Sequence, residues 1–319
     1  MGTSHKTVVP LLAALVATWG CDALDQLSDP SESEKTHAPV FGASPDVGAC
    51  VPGTLTDAYE QGFVERLNQI RLLHQLPPVT LASAERASAQ AAALAIVANA
   101  KVSHGLGSGA FCYTSEAARS SSESLLFMSA GNQVGDIGNP DRFLGDWLRD
   151  VDVGNLGHRR WLLDPFLAEV AFGLVQGEPR VNFPYSPVVG AALDVKDDRE
   201  IDLSHWVNDF VAHPHGEYPS AFFDKSWLLS FSVVVDKTQR LGSVDRVAFE
   251  SASVVLTNPS GAGLTVTDVQ GRYDLMGLPN VLTWRVSGLE DGVKYSVRIA
   301  GVTVDGEPRD YEYSLVLVP

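Results

Sequence analysis

The chain has 319 residues, of which 45% are hydrophobic and 19% are charged, and its formal net charge is −16. This length and composition are typical of about two globular domains. The acidic excess argues against a nucleic-acid-binding protein and against a basic patch for anionic lipids, because both need clustered positive charge.

The N-terminus has the pattern of an export signal. Lys6 supplies a positive charge, and residues 8–16 are apolar. This stretch is too short for a transmembrane helix of about 20 residues, so residues 1–20 are predicted to be a signal peptide. Gly20-Cys21 resembles a bacterial lipobox. We therefore expect a lipid anchor on Cys21, which places the protein in the cell envelope, at the outer membrane or in the periplasm. Ordinary secretion is the alternative.

The cysteines and the polar segment after Cys21 indicate how the chain continues. If Cys21 is lipidated, Cys50 and Cys112 remain as an even pair. In an oxidising compartment such a pair favours a disulfide, and two free thiols are the alternative. Residues 21–50 are rich in Asp, Ser, Glu and Pro, so they are predicted to be a disordered tether.

The first half of the folded region has helical patterns. Tyr59, Phe63, Leu67 and Ile70 recur at helical spacing, and an Ala-rich stretch follows whose small residues allow close packing. A short helix or turn is expected around His158. Longer helices are predicted for residues 55–76, 81–100, 123–129 and 140–150.

Beyond residue 165 the pattern changes: residues 170–175 indicate a buried strand, and from about Val244 the chain alternates between apolar and polar residues, which indicates further strands. Residues 241–319 contain no helical pattern and are predicted to be a small β-sandwich of the immunoglobulin-like kind. The whole chain is therefore predicted to be an α+β protein. Strands are predicted for residues 170–175, 231–235, 264–267, 281–286, 295–299 and 311–318.

Two histidines and two acidic residues stand at predicted element edges. His158 lies between a glycine and two arginines, and His104 lies in Ser103-His104-Gly105. Glu123 and Asp150 lie between the two histidines. These residue types can form a metal site, with zinc as an acceptable ion, or an acid/base site. No His-Glu-x-x-His motif occurs, so only the fold can assemble such a site.

Arg159, Arg160, Trp147 and Trp161 surround His158 in the sequence and have a structural interpretation. The two arginines are expected to pair with nearby acids, namely Asp150, Asp152 and Asp164. The two tryptophans are expected to lie in the core.

His213 and His215 flank Pro214 in a predicted loop. We expect them to be polar surface residues, with metal ligation as the alternative. Asn68 and Arg71 stand three residues apart on the first predicted helix, where they are expected to fix helix contacts rather than to perform chemistry.

The ordered set of motifs resembles the CAP superfamily, the SCP-domain group of cysteine-rich secretory, antigen and pathogenesis-related proteins, in its bacterial branch. The resemblance covers residues 55–236 and rests on motifs in a fixed order. They are Asn68-Gln69-Ile70-Arg71, Ser103-His104-Gly105, Glu123-Ser124-Leu125, Trp147, and Gly157-His158-Arg159 with Leu162-Leu163-Asp164-Pro165.

The resemblance implies an α-β-α sandwich over residues 51–240, with a mostly antiparallel central sheet. It also implies a cleft lined by His104, Glu123, Asp150 and His158, which could hold zinc or another divalent metal. Asp150 stands where animal members have a glutamate and many bacterial members a serine.

Two functions follow as hypotheses. The first is a lipid-anchored or secreted protein that binds a lipid, glycan or peptide ligand in the His/acid cleft. The alternative is a metal-dependent hydrolase with Glu123 or Asp150 as the catalytic base. A serine hydrolase has little support, because no Gly-x-Ser-x-Gly motif occurs. The resemblance implies no single activity, so whether the protein is an enzyme stays open.

Overall fold

The structure is a computed structural model that describes residues 39–150, 154–196 and 201–319. The predicted signal peptide and Cys21 lie outside these residues. In the described part, no helix has the length and apolar character needed to cross a membrane.

The last part of the predicted tether is structured. Strand β1 (Phe41–Ala43) pairs with β2 (Thr54–Leu55) in an antiparallel manner. The Thr56 amide also donates to the Val40 carbonyl at 3.0 Å. The prediction of a disordered tether up to residue 50 is therefore wrong from residue 39 onward, because backbone pairing orders this segment.

The α-helices of the described residues all lie between β2 and residue 163. Their bounds are α1 (Asp57–Leu73), α2 (Arg86–Asn99), α3 (Ser115–Glu123), α4 (Asp141–Arg149) and α5 (Gly157–Leu162). Helix α1 begins where the Thr56 hydroxyl accepts a hydrogen bond from the Tyr59 amide at 3.2 Å, which satisfies one of the free amides of the first turn. Four apolar residues spaced along its inner face are buried, as their spacing predicts: Tyr59, Phe63, Leu67 and Ile70.

The first sheet has the strand order β3-β5-β6-β4. Its strands are β3 (Thr80–Leu81), β4 (Ser124–Ala130), β5 (Glu169–Gly177) and β6 (Val188–Asp194). The pairs β5–β6 and β4–β6 are antiparallel and β3–β5 is parallel, so the sheet is mostly antiparallel.

Neighbouring residues of β5 show that helices cover both faces of this sheet. Phe172 stacks on Phe63 of α1, with ring centroids 3.9 Å apart, and also contacts Trp147 of α4. The next residue, Gly173, points to the opposite face. A Cβ atom at Gly173 would lie 2.2 Å from the carbonyl oxygen of Ala89 in α2. The Ala-rich helix therefore packs directly on the strand backbone, and the layers form the expected α-β-α sandwich.

The helix predicted for residues 123–129 is wrong, because Ser124–Ala130 is strand β4 and helix α3 ends at Glu123. Leu125-Leu126-Phe127-Met128 is a short apolar run, which periodicity alone does not assign to a helix or a strand. Antiparallel pairing with β6 along the whole of β4 decides for the strand.

The remaining strands form two further sheets. One has the order β12-β13-β9-β7, and the other has the order β10-β14-β15-β8 with β11 paired to β14. The strands of the first are β7 (Phe210–His213), β9 (Leu229–Val233), β12 (Thr265–Arg272) and β13 (Val281–Ser287). Those of the second are β8 (Gly216–Pro219), β10 (Val247–Ala248), β11 (Ser253–Thr257), β14 (Tyr295–Val304) and β15 (Glu307–Val318).

These two sheets pack on each other as a β-sandwich. Phe231 of β9 contacts Tyr311 of β15, with ring centroids 5.1 Å apart, and thus joins the two sheets. The expected C-terminal β region is therefore present. It also includes β7, β8 and β9, so the predicted division between residues 240 and 241 cuts across both sheets. Strand β8 takes part through its parallel pairing with β15.

Candidate functional site

Helix α5 presents His158 and Trp161, which stand one helical turn apart and line the same cleft. Just before the helix, the Asn155 carboxamide accepts a hydrogen bond from the Gly157 amide at 3.2 Å. The cleft has a volume of about 430 Å³. His104, in the loop after α2, and Glu123, the last residue of α3, line it as well.

Asp150 fixes the orientation of His158. Its carboxylate oxygen Oδ1 lies 2.7 Å from Nδ1 of His158, and Oδ2 accepts from the His158 backbone amide at 3.0 Å. The Asp150 side chain is 0% exposed, whereas that of His158 is 27% exposed. Because a carboxylate accepts hydrogen bonds, Nδ1 carries the proton and the neutral ring keeps its lone pair on Nε2.

Asp150 occupies this place because of the backbone at the end of α4. Its φ of 47° is left-handed, a conformation that Asp and Asn tolerate better than most residues, and it turns the chain out of the helix. Trp147, one turn earlier, is buried as expected and donates from its indole to the Leu126 carbonyl at 3.3 Å. The helix end is thus anchored to β4.

His104 is held in a similar way. Its Nδ1 lies 2.9 Å from the Ser121 carbonyl of α3. A carbonyl only accepts, so Nδ1 donates and Nε2 again carries the lone pair. Neither His104 nor His158 has a hydrogen-bond partner for Nε2 within the described segments. Both rings are therefore positioned through Nδ1, and each keeps a basic nitrogen free.

Glu123 stands at the C-terminal end of α3. Its Oε2 accepts from Nη1 of Arg119 at 3.0 Å, and Arg119 also pairs with Glu85. This ion pair leaves Oε1 of Glu123 without a hydrogen bond among the residues described. The carboxylate is partly exposed at the cleft and can accept from a ligand.

The structure brings three of the four residues predicted for the site, His104, Glu123 and His158, into one cleft. Asp150 lies behind His158, and both of its carboxylate oxygens are committed to that residue. The assignment of Asp150 as a metal ligand or a base in contact with substrate is therefore corrected: it positions His158. Of the two residues, only His158 offers a free basic atom.

A divalent metal fits these residues only in part. Two imidazole nitrogens and a carboxylate are donor types that zinc accepts. However, residues 39–150, 154–196 and 201–319 contain no group of three His, Cys, Asp or Glu arranged to hold a metal ion. A catalytic zinc site usually has three protein ligands around one ion, and the cleft residues lack that arrangement.

Arg160 connects α5 to the loop between β12 and β13. Its guanidinium donates to the Asp274 carboxylate, to the Asp274 carbonyl at 2.8 Å and to the Leu278 carbonyl. Two residues of this loop, Leu275 and Met276, complete the lining of the cleft. The expected ion pairing of Arg160 thus occurs, but with a more distant acid.

Arg159 is fully buried and donates mainly to backbone carbonyls. It bonds to the Leu148 carbonyl at 2.6 Å and to the Leu228 carbonyl at 2.7 Å, so it joins α4 to the chain just before β9. Burial lowers the pKa of Arg159 to about 10, although the nearby Asp150 carboxylate opposes this. Asp164, another expected partner, forms its ion pair with Arg240 at 2.6 Å.

Trp161 differs from its prediction as a core residue, because it is only partly buried and lines the cleft. The first-helix pair behaves as expected. Asn68 bonds to both backbone groups of Val79, and Arg71 donates to the carbonyls of Leu162 and Asp164. Arg71 thereby fixes α1 to the chain that follows α5.

His213 is completely buried, which overturns its prediction as a surface residue. Its Nδ1 lies 3.0 Å from Nε2 of His74, whose Nδ1 lies 2.9 Å from the Ile70 carbonyl. The carbonyl requires a proton on Nδ1 of His74, so His213 donates to His74. His215 is only partly buried and stacks on Tyr313. The two rings thus belong to packed clusters away from the cleft.

The predicted disulfide between Cys50 and Cys112 is confirmed, with a Cα–Cα distance of 5.2 Å. It ties the chain before β2 to the loop between α2 and α3. That loop also contains His104, so the crosslink restrains the segment that carries the histidine.

Sequence reasoning missed several lining residues. Trp161 carried a usable signal, because it lies three residues after His158 on a helix and hence on the same face. Leu275 and Met276 carried none, since they lie more than a hundred residues further along, in the loop between β12 and β13. Lys196, which also lines the cleft, has no motif around it, whereas Asn155 stands two residues before the Gly157-His158-Arg159 motif.

Comparison with known proteins agrees with this geometry. The model of the CAP family, described as the cysteine-rich secretory protein family, matches residues 64–186. A search of curated proteins found no significant match. The matched segment contains His104, Glu123, Asp150 and His158, and it includes α2 to α5 with strands β3 to β5. The segment 64–186, which supplies these four residues, is therefore identified as a CAP-family domain.

Proposed function

We propose that this protein binds a small ligand or a segment of a larger one in the cleft between His104, Glu123 and His158. One observation carries the proposal. The imidazole of His158 on α5 and that of His104 in the loop after α2 are both anchored through Nδ1 and keep Nε2 free at the same cleft. Such convergence of pre-oriented polar groups in a concave, largely apolar site is typical of ligand recognition.

The proposal includes an envelope or extracellular location, with a signal peptide over residues 1–20 and a lipid on Cys21. The disulfide is compatible with an oxidising compartment. A lipid, a glycan or a peptide is the class of ligand that such a location offers. Placement in the bacterial branch of the CAP superfamily belongs to the same proposal. Radiolabelled lipid precursor should label the parent chain and not the Cys21→Ala variant.

A panel of small amphipathic fragments tests the binding proposal by ligand-observed NMR. Fragments that bind the parent should lose at least tenfold in affinity in His104→Ala and in His158→Asn, since each variant removes an acceptor worth about 1.5 kcal/mol. His205→Ala changes an exposed histidine away from the cleft residues and serves as the control. Equal affinities in all four proteins would refute the proposal.

A hydrolase is a second candidate, and the His158–Asp150 pair favours it. A histidine oriented by a carboxylate, with Nε2 free, can remove a proton from water as a general base. The cleft serines do not bond to either histidine: Ser124 bonds to Ser120 and Ser122 to the Arg119 carbonyl. Water is therefore the nucleophile in this hypothesis. If the His158→Gln variant still hydrolyses the ester or peptide libraries that the parent hydrolyses, the hydrolase hypothesis is refuted.

A further inference from the structure

The loop between β12 and β13, residues 273–280, reaches the cleft from the β-sandwich. Leu275 and Met276 of this loop line the cleft while staying 61% and 43% exposed. Met276 also lies next to α5, because a Cβ atom at Gly157 would be 3.8 Å from its Cβ and Cγ. Large exposed apolar side chains at a cleft provide a surface that a ligand can cover.

This loop is held in place rather than poised to move. The buried Arg160 bonds to the side chain and carbonyl of Asp274 and to the carbonyl of Leu278. Gly277 has a φ of +64°, and a Cβ atom there would lie 2.6 Å from the Arg160 carbonyl oxygen. The loop backbone therefore sits directly on α5, and its apolar side chains are preorganised for binding.

Three of the polar side chains that line the cleft offer hydrogen-bond acceptors. When the imidazoles are neutral, Nε2 of His104 and Nε2 of His158 accept, as does the carboxylate of Glu123. Lys196 and Asn155 also line the cleft and can donate. A ligand group that satisfies the two histidines must donate hydrogen bonds, as an amino group does and a carboxylate does not.

We propose that the cleft selects an apolar chain or ring that carries an amino group. Leu275 and Met276 contact the apolar part and set its preferred length, and the two histidines accept hydrogen bonds from the amino group. This inference rests on the proposed binding function and adds the chemical class of the ligand. It assigns the specificity of the CAP-family cleft to a loop outside the matched segment.

The test uses n-alkylamines from butylamine to octylamine, titrated into the full chain by calorimetry in buffer with a chelator. Each methylene buried against the loop should raise the affinity about fourfold. In the Leu275→Ser/Met276→Ser variant this increment should fall to less than twofold. The Val255→Ser/Val269→Ser variant changes two similarly exposed residues elsewhere in the β-sandwich and should keep the increment of the parent.

The histidine variants separate this inference from the binding proposal. His104→Ala should weaken every amine by about the same factor, on the order of tenfold, and leave the increment per methylene unchanged. Alkylcarboxylates of equal length should bind at least tenfold more weakly than the amines. Single Leu275→Ala and Met276→Ala variants, each checked by thermal unfolding, replace the double variant if it does not fold.

Three results would overturn the inference: an increment that survives loss of both loop side chains, carboxylates that bind as tightly as amines, or no binding of any alkylamine. If His104→Ala still weakens the amines while the loop variant changes nothing, the binding proposal stands and only the role of the loop fails. If His104→Ala has no effect on any ligand, the binding proposal fails as well.

Discussion

The carboxylate of Asp150 lies 2.7 Å from Nδ1 of His158 and also accepts the backbone amide of that residue. One side chain thus fixes both the ring and the start of the helix that carries it. The negative charge is buried beside the guanidinium of Arg159, which it helps to keep charged. The position of the histidine in the cleft therefore depends on a residue that does not itself line the cleft.

Substitution of Asp150 should lower the free energy of unfolding, and more so when the new side chain keeps fewer of its hydrogen bonds. Asp150→Ala removes two acceptors and a counter-charge, so we expect a loss of about 3 kcal/mol in the free energy of unfolding. Asp150→Asn keeps one acceptor and tolerates the left-handed backbone, so its cost should be about 1 kcal/mol. Urea unfolding measures both. Asp146→Ala, an exposed change on the same helix, is the control, and a similar small cost for all three would contradict this role.

Gly277 should be far less tolerant of substitution than a glycine in open space. Gly277→Ala places a Cβ atom 2.6 Å from the Arg160 carbonyl oxygen, at a φ of +64°. Gly306 has a φ of +85° with no atom within 4 Å of its Cβ position, so Gly306→Ala tests the backbone strain alone. We expect about 1 kcal/mol for Gly306→Ala and at least about 3 kcal/mol for Gly277→Ala. Equal unfolding midpoints in denaturant for Gly277→Ala and Gly306→Ala would show that the loop between β12 and β13 does not pack on α5 as described.

The buried His74–His213 pair should make the fold sensitive to acid. Burial lowers the pKa of His74 to about 3 and holds the pKa of His213 well below its usual range. The unfolded chain binds protons near pH 6.5, so the stability from this pair is complete above that pH and is lost as the pH falls. Between pH 7 and pH 5 the loss should be on the order of 2 kcal/mol per histidine.

His74→Gln should flatten this dependence, as measured by unfolding free energies at several pH values. His205→Gln removes an exposed histidine and should leave the profile of the parent unchanged. Parallel profiles for the parent and His74→Gln would show that the pair is not held neutral in the fold.

Zinc binding should be weak and should depend on both cleft histidines. The described residues provide two free imidazole nitrogens without a third ligand in a metal-binding arrangement. Titration of zinc into the metal-free parent should therefore show weak binding by calorimetry, and this binding should disappear in the His104→Ala/His158→Ala variant. Tight binding by the parent, or unchanged binding by the double variant, would contradict the site as described.

Parts of the fold follow from local sequence patterns. The spacing of Tyr59, Phe63, Leu67 and Ile70 predicts helix α1, and the Ala-rich stretch predicts the close packing of α2. The ordered motifs around His104 and His158 predict the CAP-type layers and the cleft. In each case the information lies within one element or in a fixed order of elements.

Other parts depend on contacts between distant segments. His213 has the sequence surroundings of a surface loop, and contacts with other segments make it a core residue, among them its bond to His74, 139 residues away. Leu275 and Met276 reach the cleft because Arg160 holds their loop across 114 residues of chain. Strand β8 joins the β-sandwich through parallel pairing with β15, for which a local pattern gives no signal.

The central claim is that the CAP-family segment and the loop between β12 and β13 form a single binding cleft. An NMR titration of the full chain with hexylamine tests it most directly, by following the imidazole signals of His104 and His158, the indole signal of Trp161 and the methyl signal of Met276. All four signals should shift with one shared dissociation constant. Two results would contradict a single cleft. One is a shift of the histidine signals without a shift of the Met276 signal, and the other is a dissociation constant for Met276 that differs from that of the histidines.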